Sequence, residues 1–153
     1  MQTKITRLRE LTLRYSVRTQ PDGEPMILGP TICSPADAAM ALVALLADEP
    51  AEVFGMLCLT TKRRVIAYHE VSRGQLDATL VHPREVFKAA LLANAAAIVV
   101  AHNHPSGDPT PSDDDRQLTR RLMSAGELLG IEVLDHIIVG DGDFVSLRHA
   151  GLL

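Results

Sequence analysis

Four residues on one short stretch carry groups able to hold and use a metal ion. In AHNHPSGDPTPSDDD (101–115), His102 and His104 stand two apart, Ser112 follows after seven more residues, and Asp115 lies three beyond it. Side chains two apart on extended backbone share a face, with Cα atoms roughly 6.5–7 Å apart, so two imidazoles can converge on one ion. Pro105 disfavours helix at His104 and keeps the segment extended. Ser112, between Pro111 and three aspartates, reads as a helix N-cap, and Asp115 falls in the first turn, where the helix dipole favours a carboxylate. Two histidines and an aspartate leave a fourth tetrahedral position for water, the pattern of a catalytic zinc site and not of a closed structural one.

Each fragment has a plainer meaning. S-x-x-D is also the spacing of a capping box, and H-x-H alone is weak evidence. Their conjunction with a buried strand and a proline-stiffened loop is what points to metal. Activating water also calls for a general base. Glu52 and Glu70 each border a strand able to lie beside 95–101, and spacing does not choose between them. His136, in Leu134-Asp135-His136, reads as a structural or outer partner and not as a fourth ligand. His69, His82 and His149 carry no spacing argument. Asn103 and Ser106 read as organisers of the loop through bonds to backbone.

The elements that must position these groups follow from pattern. Ala95–Ala101 is apolar on both faces, as a central strand is, and ends at His102. Ser34-Pro35 opens a helix over about 35–48 with Ala39, Leu42, Val43 and Leu46 inward. Residues 52–59 and 64–71 form a hairpin, 72–78 a loop, 83–94 a helix. A long helix over 112–129 turns Leu118, Leu122, Met123 and Leu129 inward and stops at Gly130. Residues 131–139 and 144–147 flank a Gly140-Asp141-Gly142 turn as a second hairpin. Before all of these, residues 1–20 alternate as an edge strand and 20–35 form a loop. The expected fold is α/β of the α+β type: one domain over 1–153, a single mixed sheet flanked by helices, with an N-terminal strand and loop extension over 1–34.

A chain of 153 residues is long enough for one core, and with three Phe, two Tyr and no Trp that core must be aliphatic. The net charge of -4 excludes a surface given over to wrapping nucleic acid. Local basic patches are left as candidate DNA contacts: Lys4, Arg7, Arg9, Arg14 and Arg18 at the N-terminus, and the helix face Arg116, Arg120, Arg121. Cys33 and Cys58 lack CxxC spacing and read as reduced, apolar thiols. No apolar run approaches the ~20 residues of a membrane helix and no signal peptide is evident, so the expected compartment is the cytoplasm, with no membrane association.

H-x-H, seven residues, S-x-x-D is the JAMM signature of the JAB1/MPN metalloprotease superfamily. With HPREVFKAALLANAAAIVVA, LDHIIVG and FVSLRHAGLL, the chain resembles the RadC-type branch from about Glu52 to Leu153. The resemblance implies a JAB1/MPN-like fold and Zn2+ held by His102, His104 and Asp115. It further implies Glu52 as the catalytic base and Ser112 as the group steadying the oxyanion, in hydrolysis of amide or isopeptide bonds of a peptide or protein substrate. Two alternatives accompany it: a DNA-associated repair accessory or nuclease of the RadC type, and a non-catalytic MPN scaffold, against which stands the survival of all five motif residues. Residues 1–50 do not resemble the helix-hairpin-helix module that RadC-type proteins carry before the JAB domain.

Overall fold

The computed structural model describes residues 29–74 and 81–153. The expected N-terminal strand, its arginines and part of the 72–78 loop lie outside those residues. Two segments are buried along their whole length, β1 (Val53–Leu59) and a strand at Ala97–Asn103, here β3. Such segments belong inside a sheet, covered on both faces. β2 (Val65–Arg73), β4 (Glu132–Val139) and β5 (Phe144–Ser146) complete a five-stranded sheet in the order β2-β1-β3-β4-β5. Only β3 and β4 run parallel. A parallel pair needs a crossover, and α3 (Asp113–Leu129) lies within it.

Three helices cover the sheet from both sides. α1 (Pro35–Leu46) lays Ala38, Ala39, Leu42 and Leu46 against Val53, Leu57 and Leu59 of β1 and Ala97, Val99 and Ala101 of β3. On the other face, α2 (Pro83–Leu92) and α3 bring Val86, Phe87, Ala90, Leu118 and Leu122 against Phe54, Met56, Cys58, Ile98 and Val100. This is the expected single mixed sheet flanked by helices.

Strand alternation decides where the polar residues go. Continuing the row of Ile98 and Val100, His102 points to the α3 face; continuing the row of Ala101, Asn103 points to the α1 face. β3 does not end before His102 as expected. It runs on to Asn103, with His102 opposite Phe54 of β1 and Ile138 of β4. A backbone paired on both sides makes His102 a rigid mount. Between Ile98 and Val99 the pairing with β4 skips Leu134, so Val99 faces Asp135 and Val100 faces His136. Because a one-residue slip exchanges faces, this irregularity is what turns His136 towards α3.

Helix ends match their signals more closely than helix faces do. Ser34 and Ser112 cap α1 and α3 with complete capping boxes, and Gly130 ends α3 in the left-handed region at φ 70, which glycine adopts without steric cost. Val43 and Leu129, expected inward, are exposed, because each is on the solvent side of its helix; Ala38 takes the inward place in α1. β2 extends to Arg73, taking up the first residues of the expected loop. Cys58 is a buried thiol whose pKa burial raises to about 11, whereas Cys33 is exposed, not an apolar interior group. No described helix is long and apolar enough to cross a membrane.

Candidate metal centre

The end of β3 and the first turn of α3 meet at one point. His102 Nε2 lies 2.9 Å from His104 Nε2, 3.2 Å from Asp115 Oδ1 and 3.9 Å from Glu52 Oε1. His104 Nε2 is 3.7 Å from Asp115 Oδ2. Ligand atoms of Glu52, His102 and His104 lie within 4.8 Å of one another, a group able to hold a metal ion. Of the two candidate glutamates, then, Glu52 stands at the centre. Glu70 is committed elsewhere, in an ion pair with Arg73 at 2.8 Å.

The hydrogen bonds around this centre leave it in want of a positive charge. Thr119 Oγ1 donates its single proton to the carbonyl of Asp115 (2.6 Å), so towards His136 Nδ1, also 2.6 Å away, it can only accept. His136 therefore carries its proton on Nδ1. Its fully buried ring is held neutral, since burial, with the neighbouring histidines, drives its pKa well below 6.5. Its bare Nε2 accepts from His102 Nδ1 at 2.8 Å, which in a neutral His102 ring leaves Nε2 without a proton. His104 donates from Nδ1 to the carbonyl of Asp108 (2.7 Å), so its Nε2 is bare as well. Two imidazole nitrogens stand 2.9 Å apart, and each meets a different oxygen of the Asp115 carboxylate, His102 Nε2 at 3.2 Å from Oδ1 and His104 Nε2 at 3.7 Å from Oδ2. Only a shared positive charge, a metal ion or an added proton, makes that arrangement favourable, and the nitrogen and carboxylate donors suit zinc.

Asp115 is prepared for the same task. Burial alone would raise its pKa, but when the shared positive charge is an added proton, the hydrogen bond to His102 and the charge on that ring, with both Ser112 bonds, hold it well below the usual carboxylate range. Ser112 N donates to Asp115 Oδ2 (2.8 Å) and Asp115 N donates to Ser112 Oγ (3.1 Å). The cap uses a lone pair of the Ser112 hydroxyl and leaves its proton available, so capping does not prevent Ser112 from donating to a substrate oxygen. A cleft of about 350 Å³ opens here, lined by Glu52, His104, Ser106, Ser112, Asp114 and Asp115 among others.

The 105–111 loop orients His104 through the Asp108 carbonyl, and it rests on Gly140. A Cβ at Gly140 would stand 2.8 Å from Pro109 Cδ and closer still to the carbonyl oxygen of Gly107. Gly140→Ala must therefore displace the loop. Expected are a stability loss of about 1–3 kcal/mol, typical of overpacking, and weaker metal binding, checked by denaturant unfolding and zinc titration. Unaltered metal affinity would show that the loop does not orient His104.

His136 takes the outer-partner place expected of it. Thr119, which fixes its tautomer, gave no sequence signal beyond an i, i+4 spacing from Asp115. Asp135 was also missed: its buried carboxylate accepts from the amides of His136 and Arg148 and from the Ser146 hydroxyl, fastening β5 beneath the relay. Asn103 does not organise the loop; it reaches the segment before β1.

A three-layer domain with H-x-H at a central strand end and S-x-x-D at the next helix start is a JAB-type domain. The model of the RadC-like JAB domain family matches residues 32–152, and the chain belongs to that family. The match begins about twenty residues before the Glu52 limit read from sequence. A UPF0758 protein of Symbiobacterium thermophilum is 51% identical over 122 residues, covering 80% of this chain and 52% of that protein. One from Moorella thermoacetica is 52% identical over 122 residues (80% and 53%), and one from Desulfitobacterium hafniense 45% over 140 (92% and 60%). The chain thus spans about half to three-fifths of the length of these relatives.

Proposed function

We propose that the chain is a zinc-dependent hydrolase of amide or isopeptide bonds, acting on a peptide or protein. The observation that carries this reading is the convergence of His102, His104 and Asp115 beside Glu52 in an open cleft. Asp115 is assigned as the third ligand and Glu52 as the base, because the Asp115 carboxylate stands nearer to His102 than that of Glu52. Bound zinc supplies Lewis acidity and lowers the pKa of water to about 7. Glu52 accepts the proton of the attacking water and returns it to the departing nitrogen. The Ser112 hydroxyl, free to donate while it caps α3, hydrogen-bonds the oxygen on which negative charge develops.

Charge favours an amide over a phosphodiester. Among the described residues, the acidic side chains lining the cleft are those of Glu52, Asp114 and Asp115, with no Lys or Arg beside them, and they would repel a nucleic acid backbone. A DNA-associated role draws on Arg116, Arg120 and Arg121 of α3 and on the N-terminal arginines, outside the described residues.

The test is an assay of the zinc-loaded protein against fluorogenic peptide and isopeptide libraries and against labelled DNA. Amide cleavage is expected, with Ser112→Ala lowering kcat by roughly 10²–10³, as the loss of one oxyanion donor does, and Ser112→Thr retaining most of it. Cleavage of DNA but of no amide would overturn the reading, and zinc binding with no turnover of either would favour a scaffold.

A further inference from the structure

We infer that Asn103, the residue between the two histidines, is a positioning residue that sets where the Glu52 carboxylate stands. Glu52 lies just before β1, beyond the end of the β1–β3 ladder, whose last pair is Phe54 with His102. No β3 backbone rung reaches it. The Asn103 side chain, turned to the α1 face by strand alternation, extends the connection. Its Oδ1 accepts from Val53 N at 2.7 Å, and its Nδ2 donates to the carbonyls of Ala51 and Glu49 at 3.1 Å each. The bonds to Ala51 and Val53 straddle Glu52. Across from them, Gly74 N donates to the Glu52 carbonyl at 2.9 Å. Arg73 ion-pairs with Glu49 and Glu70, tying the end of β2 to the same segment.

Asn103 is 3% exposed, and both ends of its carboxamide are bonded, so the orientation is fixed by the amide and carbonyls it meets. One residue therefore serves two partners. Its backbone belongs to the strand that mounts His102, and its side chain grips the backbone on both sides of Glu52. Alongside the Gly74 bond and the Arg73 ion pairs, Asn103 links the two sides of the 3.9 Å spacing between Glu52 and His102. Catalytic groups tolerate only about 0.5 Å of misplacement, and about 1 Å can cost 10² in rate. Asn103 touches none of the reacting atoms and acts through Glu52.

This inference rests on Glu52 as the base, yet its test does not require turnover. Crystal structures of metal-free wild type and Asn103→Ala are compared, with Asn103→Asp as the second variant should the first not fold. Asp keeps an acceptor for Val53 N but turns a carboxylate oxygen towards two carbonyls. The expected result is a Glu52 carboxylate displaced by about 1 Å or more from its place beside His102, with the His102–His104 pair unmoved. A carboxylate remaining within about 0.5 Å overturns the inference whatever the protein hydrolyses. The Co2+-loaded proteins give the second readout. Asn103→Ala should reproduce the change in the visible spectrum caused by Glu52→Gln, and the double variant should match Glu52→Gln alone, with Co2+ affinity in each within about threefold of wild type. A wild-type spectrum in Asn103→Ala beside an altered one in Glu52→Gln counts against the inference. Failure of the wild type to take up Co2+ would instead contradict the metal centre, and the crystallographic comparison would still decide the role of Asn103.

Discussion

Glu52→Gln retains metal and loses turnover. The substitution keeps the shape of the side chain and removes its ability to accept a proton, while His102, His104 and Asp115 are untouched. General-base catalysis contributes about 10²–10⁴ in rate, so kcat for the proposed amide hydrolysis falls by that factor. Zinc stoichiometry, to be measured on the same preparation, is expected to stay at one per chain. Both measurements are needed together. Activity lost along with the metal would make Glu52 a ligand, consistent with its place in the group of Glu52, His102 and His104. Activity retained with metal bound would remove it from the chemistry.

Asp115→Asn produces the opposite pattern. An amide oxygen can still accept from Ser112 N, so the capping box survives in large part, but the negative charge facing the two histidines is gone. Outer partners of a metal site cost 10–100-fold in affinity when removed; a ligand should cost more, so zinc affinity falls by more than about 100-fold. Affinity within a few-fold of wild type would exclude Asp115 as a ligand. The same competition between proton and metal sets a pH dependence. Ligand nitrogens must be bare, so zinc is released as pH falls through the histidine range. Metal-free stability follows in two windows. The His136 pKa lies below 6.5 in the fold, so the unfolded chain binds more protons as pH falls through about 6.5, and stability declines there. Asp115, with its pKa depressed, contributes stability that is present above its ordinary 3.8 and lost as pH falls further.

The centre was more legible in the sequence than its support. His102 and His104 could be placed on one face because strand geometry has a period of two, and Ser112 and Asp115 because helix starts have a strong local chemistry. Both rules act over a few residues. Glu52 is different: it lies fifty residues from His102, and only the antiparallel pairing of β1 with β3 brings them together. Physical reasoning left it level with Glu70; the family resemblance named Glu52, and of the two it is Glu52 that the fold brings to 3.9 Å from His102. His136 was suggested by its strand but could not be aimed, since its face depends on the skipped pairing at Leu134, which no local pattern announces. Thr119 and Asn103 were illegible for the same reason. Each is an ordinary polar residue whose meaning comes from a partner far along the chain. The misassigned inward positions, Val43 and Leu129, lie at the margins of their apolar stripes, where periodicity does not separate core from surface.

The most direct test of the centre is anomalous scattering from crystals of the zinc-loaded protein, recorded on both sides of the zinc absorption edge. A metal centre predicts one peak per chain, at about 2.0–2.2 Å from His102 Nε2, His104 Nε2 and an Asp115 oxygen, with Glu52 beside it and Asn103 still bonded to Val53. A peak absent from that position at saturating zinc, with the two histidines joined by a hydrogen bond through an added proton, would contradict it.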